Sequence, residues 1–164
     1  MSETGVRVAF VALAVFGYMT LGLIPAQASG DEKDGLTQRV VLTLGSEDNK
    51  KRLFHPERLI LKARERYTLV IENPSFEVHE FDSPGLVEAA WSSSVKVLDG
   101  IGETALPVAK VVGKPAEVEI FPGNSIEWTF VPVVTGRYDV LCDIEDQSGK
   151  THTEMGMKGT IVVE

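Results

Sequence analysis

The sequence predicts an all-β domain, because short runs with β-strand character recur along most of the chain and are separated by turn residues. Residues 67–72 form a β-rich run, and residues 116–121 and 125–131 alternate apolar with polar side chains. Pro122, Gly123 and Asn124 separate the last two of these runs and predict a tight turn. Seven or eight such strands are predicted along the chain, the last at 159–163. This spacing is typical of a β-sandwich or a β-barrel.

The other predicted elements follow in chain order. A β-branched run at 38–44 predicts the first strand, and the proline-broken segment 53–61 leads into the next one. Residues 77–81 form an extended segment after a turn at 73–75. The pattern then loosens between 82 and 116, which we interpret as an insertion packed on one side of the fold. The insertion is expected to hold a short helix at 86–91 and short strands at 95–98 and 107–112.

Composition and charge limit the classes of protein that the chain can represent. Its 164 residues leave room for one domain, and 43% apolar content is enough to build a core without disulfide bonds. A net charge of −8 argues against nucleic acid or an anionic membrane surface as a partner. This charge is compatible with a neutral or basic protein as the partner. The large aromatic residues Trp91, Phe121, Trp128 and Phe130 are expected in the core.

The N-terminal segment predicts export. Arg7 precedes an uncharged apolar run at 8–24, and the small residues Ala26 and Ala28 suit cleavage by a signal peptidase. Residues 1–28 are therefore predicted to be a signal peptide with a helical apolar part. The alternative is an uncleaved membrane anchor formed by residues 8–24. In either case the protein is expected in the periplasm or outside the cell.

The rest of the chain is divided into a tether and one domain. Residues 29–36 are polar and charged with little to bury, which predicts a flexible tether before a domain at 37–164. An exported chain with a single cysteine, Cys142, has no internal disulfide partner. Its thiol is therefore buried and inert, paired with another chain, or bound to a metal.

Soft donor residues surround this cysteine in the sequence. His152, Met155 and Met157 follow it, and His79 is the leading candidate for a further ligand from upstream. A thiolate, imidazoles and a weak thioether form the donor set of an electron-transfer copper site. Cysteine and histidine also suit zinc, but a methionine in the set fits copper better.

At this point the chain resembles the cupredoxins, the small blue-copper family that includes plastocyanin and azurin. The residues that carry the resemblance are Tyr138 to Cys142, then His152-x4-Met157-x-Gly159-Thr-Ile-Val-Val. Asn73 and the segment 79–81 resemble the first-histidine region of the family. The resemblance covers about residues 36 to 164.

The resemblance implies a Greek-key β-sandwich that holds one copper ion, cycling between Cu(I) and Cu(II), between loops at one end. Carried over by position, His79, Cys142 and His152 would be the equatorial ligands. Met157 would be the axial ligand, with Met155 as the alternative. His55 is interpreted as a surface or packing residue rather than a ligand.

The loop between Cys142 and His152 departs from the family, because its nine residues exceed the length found in the best-known small members. It carries three carboxylates. One hypothesis is that Asp143 or Glu145 approaches the metal and favours Cu(II). The alternative is a longer solvated loop.

These observations together predict a single-electron carrier between redox proteins such as a cytochrome or an oxidase. No nucleophile, base and acid set is found, so an enzyme is not expected. A monomer is expected, with membrane contact only if the N-terminal segment stays uncleaved. The alternatives are a copper-handling protein for storage, delivery or resistance, and a non-redox interaction module that kept the sandwich. The four candidate ligands argue against the last of these.

Overall fold

The computed structural model describes residues 37–164, and the predicted signal helix at 1–28 and tether at 29–36 lie outside the described residues. Across the described range, no helix has the length and apolar character needed to cross a membrane. Strands dominate this range. They are β1 (Gln38–Leu44), β2 (Phe54–His55), β3 (Arg58–Leu61), β4 (Tyr67–Glu72), β5 (His79–Asp82), β6 (Ala90–Asp99), β7 (Leu106–Val111), β8 (Glu117–Ile120), β9 (Ser125–Pro132), β10 (Gly136–Leu141) and β11 (Lys158–Val163). One short α-helix, α1 (Pro84–Glu88), and a 3-10 turn (Gly102–Thr104) accompany them.

The strands form two mixed sheets. The six-stranded sheet has the order β2-β1-β4-β9-β6-β7, and the five-stranded sheet has the order β3-β11-β10-β5-β8. β1 pairs in parallel with β4, and β3 pairs in parallel with β11, while the remaining neighbours are antiparallel. The predicted all-β sandwich is confirmed.

Side-chain alternation explains how the sheets pack. In β9, Ile126, Trp128 and Phe130 are buried, whereas the residues between them are partly exposed. The rings of Trp128 and Phe130 stack with their centroids 3.9 Å apart. A strand with a period of two thus presents one apolar face to the opposite sheet. Both sheets contribute to the core, which includes Leu42, Leu44, Leu69, Ile71, Leu61, Phe81, Val140, Ile161 and Val163.

The region 82–116 is built differently from the expected insertion. The short helix is present as α1, with Leu86 and Val87 buried. The two strands, however, extend the six-stranded sheet, because β6 pairs with β9 from Ala90↔Pro132 to Leu98↔Ser125. β7 forms the outer edge of this sheet, and all six of its residues are exposed. An edge strand without a buried face gives a weak sequence pattern.

Two aromatic residues lie outside the core, so the expectation for them was wrong. The side chains of Trp91 and Phe121 are 57% and 59% exposed, in contrast to the fully buried Trp128 and Phe130. Trp91 lies in β6 and Phe121 directly follows β8.

The fold brings His79 and Cys142 to one end of the five-stranded sheet. His79 begins β5 and Cys142 directly follows β10. These two strands are antiparallel neighbours that pair at Leu141↔Asp82. This pair joins the last residues of the two strands, so the chain that continues from Leu141 into Cys142 runs alongside β5 towards His79.

Candidate metal centre

Three buried side chains converge at this end of the sandwich. The Nδ1 atoms of His79 and His152 are 3.1 Å apart, and the Sγ atom of Cys142 lies 4.0 Å from the first and 3.4 Å from the second. All three donor atoms lie within 4.8 Å of one another. The side chains are 1%, 0% and 2% exposed for His79, Cys142 and His152. Three of the four predicted ligands are thus brought together at one point.

A small hairpin returns the chain from Cys142 to His152. The backbone N–H of His152 donates to the carbonyl oxygen of Ile144 at 2.9 Å, and Glu145 and Thr151 form an antiparallel bridge. The tip is a turn in which the N–H of Gly149 donates to the carbonyl of Asp146 at 3.0 Å. The nine-residue loop is therefore ordered by its own hydrogen bonds. Its base places His152 beside the thiol.

The cysteine itself is fixed by backbone and hydroxyl groups. The N–H of Cys142 donates to Thr153 Oγ1 at 2.9 Å, and the N–H of Thr153 donates to the carbonyl of Cys142 at 2.8 Å. The N–H of Glu80 donates to Cys142 Sγ at 3.2 Å. The buried Glu80 carboxylate accepts the N–H of Asp143 at 2.9 Å. These contacts hold the sulfur in a fixed position between β5 and β10.

Asn73 fixes the segment that leads into His79. Its Nδ2 group donates to the carbonyl of Glu77 at 2.8 Å and to that of Ile120 at 2.6 Å. Its Oδ1 atom accepts hydrogen bonds from the N–H and the hydroxyl of Ser75. One fully buried amide thus connects this segment to β8.

Burial sets the protonation state of the donors. The pKa of His79 is lowered to about 4, first by burial and second by the neighbouring His152. The pKa of His152 is lowered by burial and then by the positive charge of Arg52. Both imidazoles are therefore neutral near pH 7, which leaves a nitrogen lone pair available to a metal. Burial raises the pKa of the Cys142 thiol, so a metal must displace its proton on binding.

The two candidate axial thioethers lie in different environments. Met157 is fully buried and belongs to the core, and its N–H donates to the carbonyl of His152 at 2.9 Å. Met155 is 36% exposed, and its sulfur lies 3.5 Å from Nη1 of Arg52. Because Met157 is buried beside the loop that carries His152, it is favoured over Met155 as the axial ligand. This assignment stays a prediction.

Three other residues discussed above lie outside the cluster. Asp143 and Glu145 have exposed side chains, and neither belongs to the group of three donors found in residues 37–164. His55 is exposed at the end of β2.

An ion pair that sequence reasoning missed borders the cluster. Arg52 donates to both carboxylate oxygens of Glu77 at 2.8 Å. Both residues line a cleft of about 510 Å³ that also reaches His152 and Asp146. No sequence pattern marks this pair, because Arg52 and Glu77 are 25 residues apart and neither lies in a motif.

Comparisons with known proteins give matches to solved structures only. No protein-family model and no curated protein matches the chain. A structure of auracyanin B is 18% identical over 77% of this chain and 88% of that one, with a TM-score of 0.43. A reduced auracyanin from the photosynthetic bacterium Roseiflexus castenholzii is 16% identical over 78% of this chain and 98% of that one, with a TM-score of 0.45.

A copper-containing nitrite reductase from Thermus scotoductus SA-01 is 14% identical over 79% of this chain and 31% of that one, with a TM-score of 0.51. This last likeness concerns the fold. The two-sheet sandwich and the His-Cys-His cluster confirm the predicted resemblance to the cupredoxins. Fold and site together define a cupredoxin-like domain whose donor set fits one copper ion.

Proposed function

We propose that this protein is an exported copper-binding carrier of single electrons. The observation that carries the proposal is the cluster of His79, Cys142 and His152, whose donor atoms all lie within 4.8 Å of one another and are buried. Copper bound there would supply a one-electron couple between Cu(I) and Cu(II). A thiolate and two neutral imidazoles are donors that both oxidation states accept.

The surroundings of the cluster support a carrier more than a copper store. Each proposed ligand lies on ordered backbone. His79 lies in β5, and His152 lies at the base of the hairpin. Cys142 directly follows β10 and is hydrogen-bonded to Thr153. Donors that are already in place change little between oxidation states, and a rigid site favours rapid electron transfer. Met157 completes the set as the proposed axial ligand.

The proposed setting follows from the rest of the chain. The predicted signal peptide supports a periplasmic or extracellular location, and the copper is held by a monomer. A net charge of −8 favours a redox partner with a basic surface, such as a cytochrome or an oxidase. The protein hands electrons on and is not itself an enzyme.

The test is to add one equivalent of Cu(II) to the domain and to record its visible absorption and electron paramagnetic resonance spectra. We expect an intense thiolate-to-copper charge-transfer band and a narrow hyperfine splitting. Cys142→Ser should abolish the band, whereas His55→Gln should leave it unchanged, because His55 is exposed and lies outside the cluster. A wild-type protein that stays colourless would refute the proposal.

A second pair of variants tests the axial ligand. Met157→Leu should shift the absorption spectrum and the reduction potential, and Met155→Leu serves as the matched control. Slow electron self-exchange in a protein that nevertheless holds copper tightly would instead favour the copper-handling alternative.

A further inference from the structure

Arg52 forms a bidentate ion pair with Glu77 at the edge of the ligand cluster. It lies between β1 and β2, and its Nε and Nη2 atoms donate to Oε2 and Oε1 of Glu77, each at 2.8 Å. The two side chains are 31% and 33% exposed. A bidentate guanidinium–carboxylate pair is more directional and stronger than a single-contact surface pair.

The same guanidinium reaches the hairpin that carries His152. Its Nη1 atom lies 3.9 Å from Oδ2 of Asp146 and 3.5 Å from the sulfur of Met155. The other oxygen of Asp146 accepts the N–H and the hydroxyl of Ser148 at 2.7 and 2.6 Å, so this carboxylate also orders the hairpin tip. Arg52 is thus connected to the chain on both sides of the donor cluster.

Glu77 provides the other connection. It lies two residues before His79, and its carbonyl oxygen accepts hydrogen bonds from Asn73 and Ser75. Its side chain therefore extends from a segment that is fixed against β8. Because Arg52 also lies 3.9 Å from Asp146, it links this fixed segment to the hairpin across the cleft that reaches His152.

We propose that Arg52 and Glu77 are a positioning pair that holds the His79 segment and the His152 hairpin together and so slows the release of the metal. The inference rests on the proposed copper site and adds residues that do not touch the metal. The pair closes the side of the cluster that faces the cleft. Loss of either partner frees the hairpin to move away from β5.

The charges of the pair give a second, independent readout. Arg52→Gln leaves Glu77 and Asp146 without their cation, and added negative charge favours Cu(II) and lowers the reduction potential. Glu77→Gln leaves Arg52 without its carboxylate, and added positive charge favours Cu(I) and raises the potential. A general loosening of the fold would not shift the potential in opposite directions.

The experiment uses the full chain loaded with one equivalent of Cu(II). The rate of copper transfer to an excess of a chelator is measured together with the reduction potential. We expect Arg52→Gln and Glu77→Gln each to release copper about tenfold faster than the wild type. Arg52→Lys should also release it faster, because it keeps the charge and loses the two-pronged contact, while its potential stays near that of the wild type.

Arg39→Gln is the matched control, because it breaks an ion pair of 2.7 Å with Glu127 that joins β1 to β9. This variant should release copper at the wild-type rate. Wild-type release rates in Arg52→Gln and Glu77→Gln would overturn the positioning role and leave the proposed function intact. A wild-type protein that takes up no copper would instead overturn the proposed function, and the positioning role with it.

Discussion

Gly45 shows how a single residue shapes the donor cluster. It has a φ of +74°, and a Cβ atom built on it would lie 2.6 Å from Nε2 of His79 and 2.9 Å from Cβ of Ser75. The His79 ring thus occupies the space that any other side chain at position 45 would fill. The glycine is required both for its backbone conformation and for this close approach.

Gly45→Ala is expected to destabilise the protein and to weaken copper binding, because it combines backbone strain with displacement of His79. Gly149→Ala is the matched control. Gly149 has a similar φ of +75° but no neighbouring atom within 4 Å, so this variant tests the strain alone, at about 1–2 kcal/mol. Thermal unfolding and titration with Cu(II) measure both effects. Equal losses in the two variants, with unchanged copper affinity, would contradict this account.

The candidate donor residues could be predicted from the sequence, whereas the residues that hold them in position could not. Cys142 is the only cysteine in the sequence, and His152 stands before Met157 in the His-x4-Met spacing that resembles the cupredoxins, so the sequence pointed to both. Gly45 and Arg52 act through contacts that form only after folding, with His79 and with Glu77. Nothing in their local sequence marks such long-range contacts.

Among the structural elements, the segment between β4 and β5 depends on one side chain. Asn73 bonds the carbonyl oxygens of Glu77 and Ile120 and accepts two hydrogen bonds from Ser75. Removing this buried amide takes away all four hydrogen bonds, and the carbonyl oxygen of Glu77 keeps only the one from the Ser75 hydroxyl. The segment before His79 would then lose its side-chain connection to β8, while the pairing of β5 with β8 remains.

Asn73→Ala is therefore expected to lower the free energy of unfolding by about 2–4 kcal/mol. Asn124→Ala is the control in the adjacent turn, where Nδ2 makes one exposed bond to the carbonyl of Pro122 at 3.1 Å. The control should lose less than about 1 kcal/mol in urea unfolding. Similar losses in both variants would show that the buried network contributes little.

Prediction of the elements succeeded where one face of a strand is buried. The runs at 67–72 and 125–131 coincide with β4 and β9, whose buried residues face the core. The place of β6 and β7 in the six-stranded sheet could not be predicted, because β7 is exposed along its whole length. The hairpin between Cys142 and His152 was also missed, because its residues are polar and its order comes from backbone hydrogen bonds.

At the scale of the whole molecule, the buried histidines make the stability of the metal-free protein depend on pH. The pKa of His79 is about 4 in the folded protein, compared with 6.5 for an unperturbed histidine. The unfolded chain therefore binds more protons between these values, and stability falls as the pH drops through this range. His79 alone should account for a loss of about 2 kcal/mol between pH 7 and pH 5.

Urea unfolding of the metal-free protein at both pH values measures this loss. His79→Gln should show a smaller loss, because glutamine does not titrate, and His55→Gln is the control at an exposed position outside the cluster. The same pH dependence in His79→Gln and in the wild type would exclude His79 as the source.

Cys142 has no exposed surface, and it is the only cysteine in the chain. An alkylating reagent can therefore reach the Cys142 sulfur only when this end of the sandwich opens. At a reagent concentration high enough for labelling to outpace reclosing, the labelling rate of the metal-free protein equals the rate of these openings. The single cysteine thus reports how often the protein opens at its own candidate metal site.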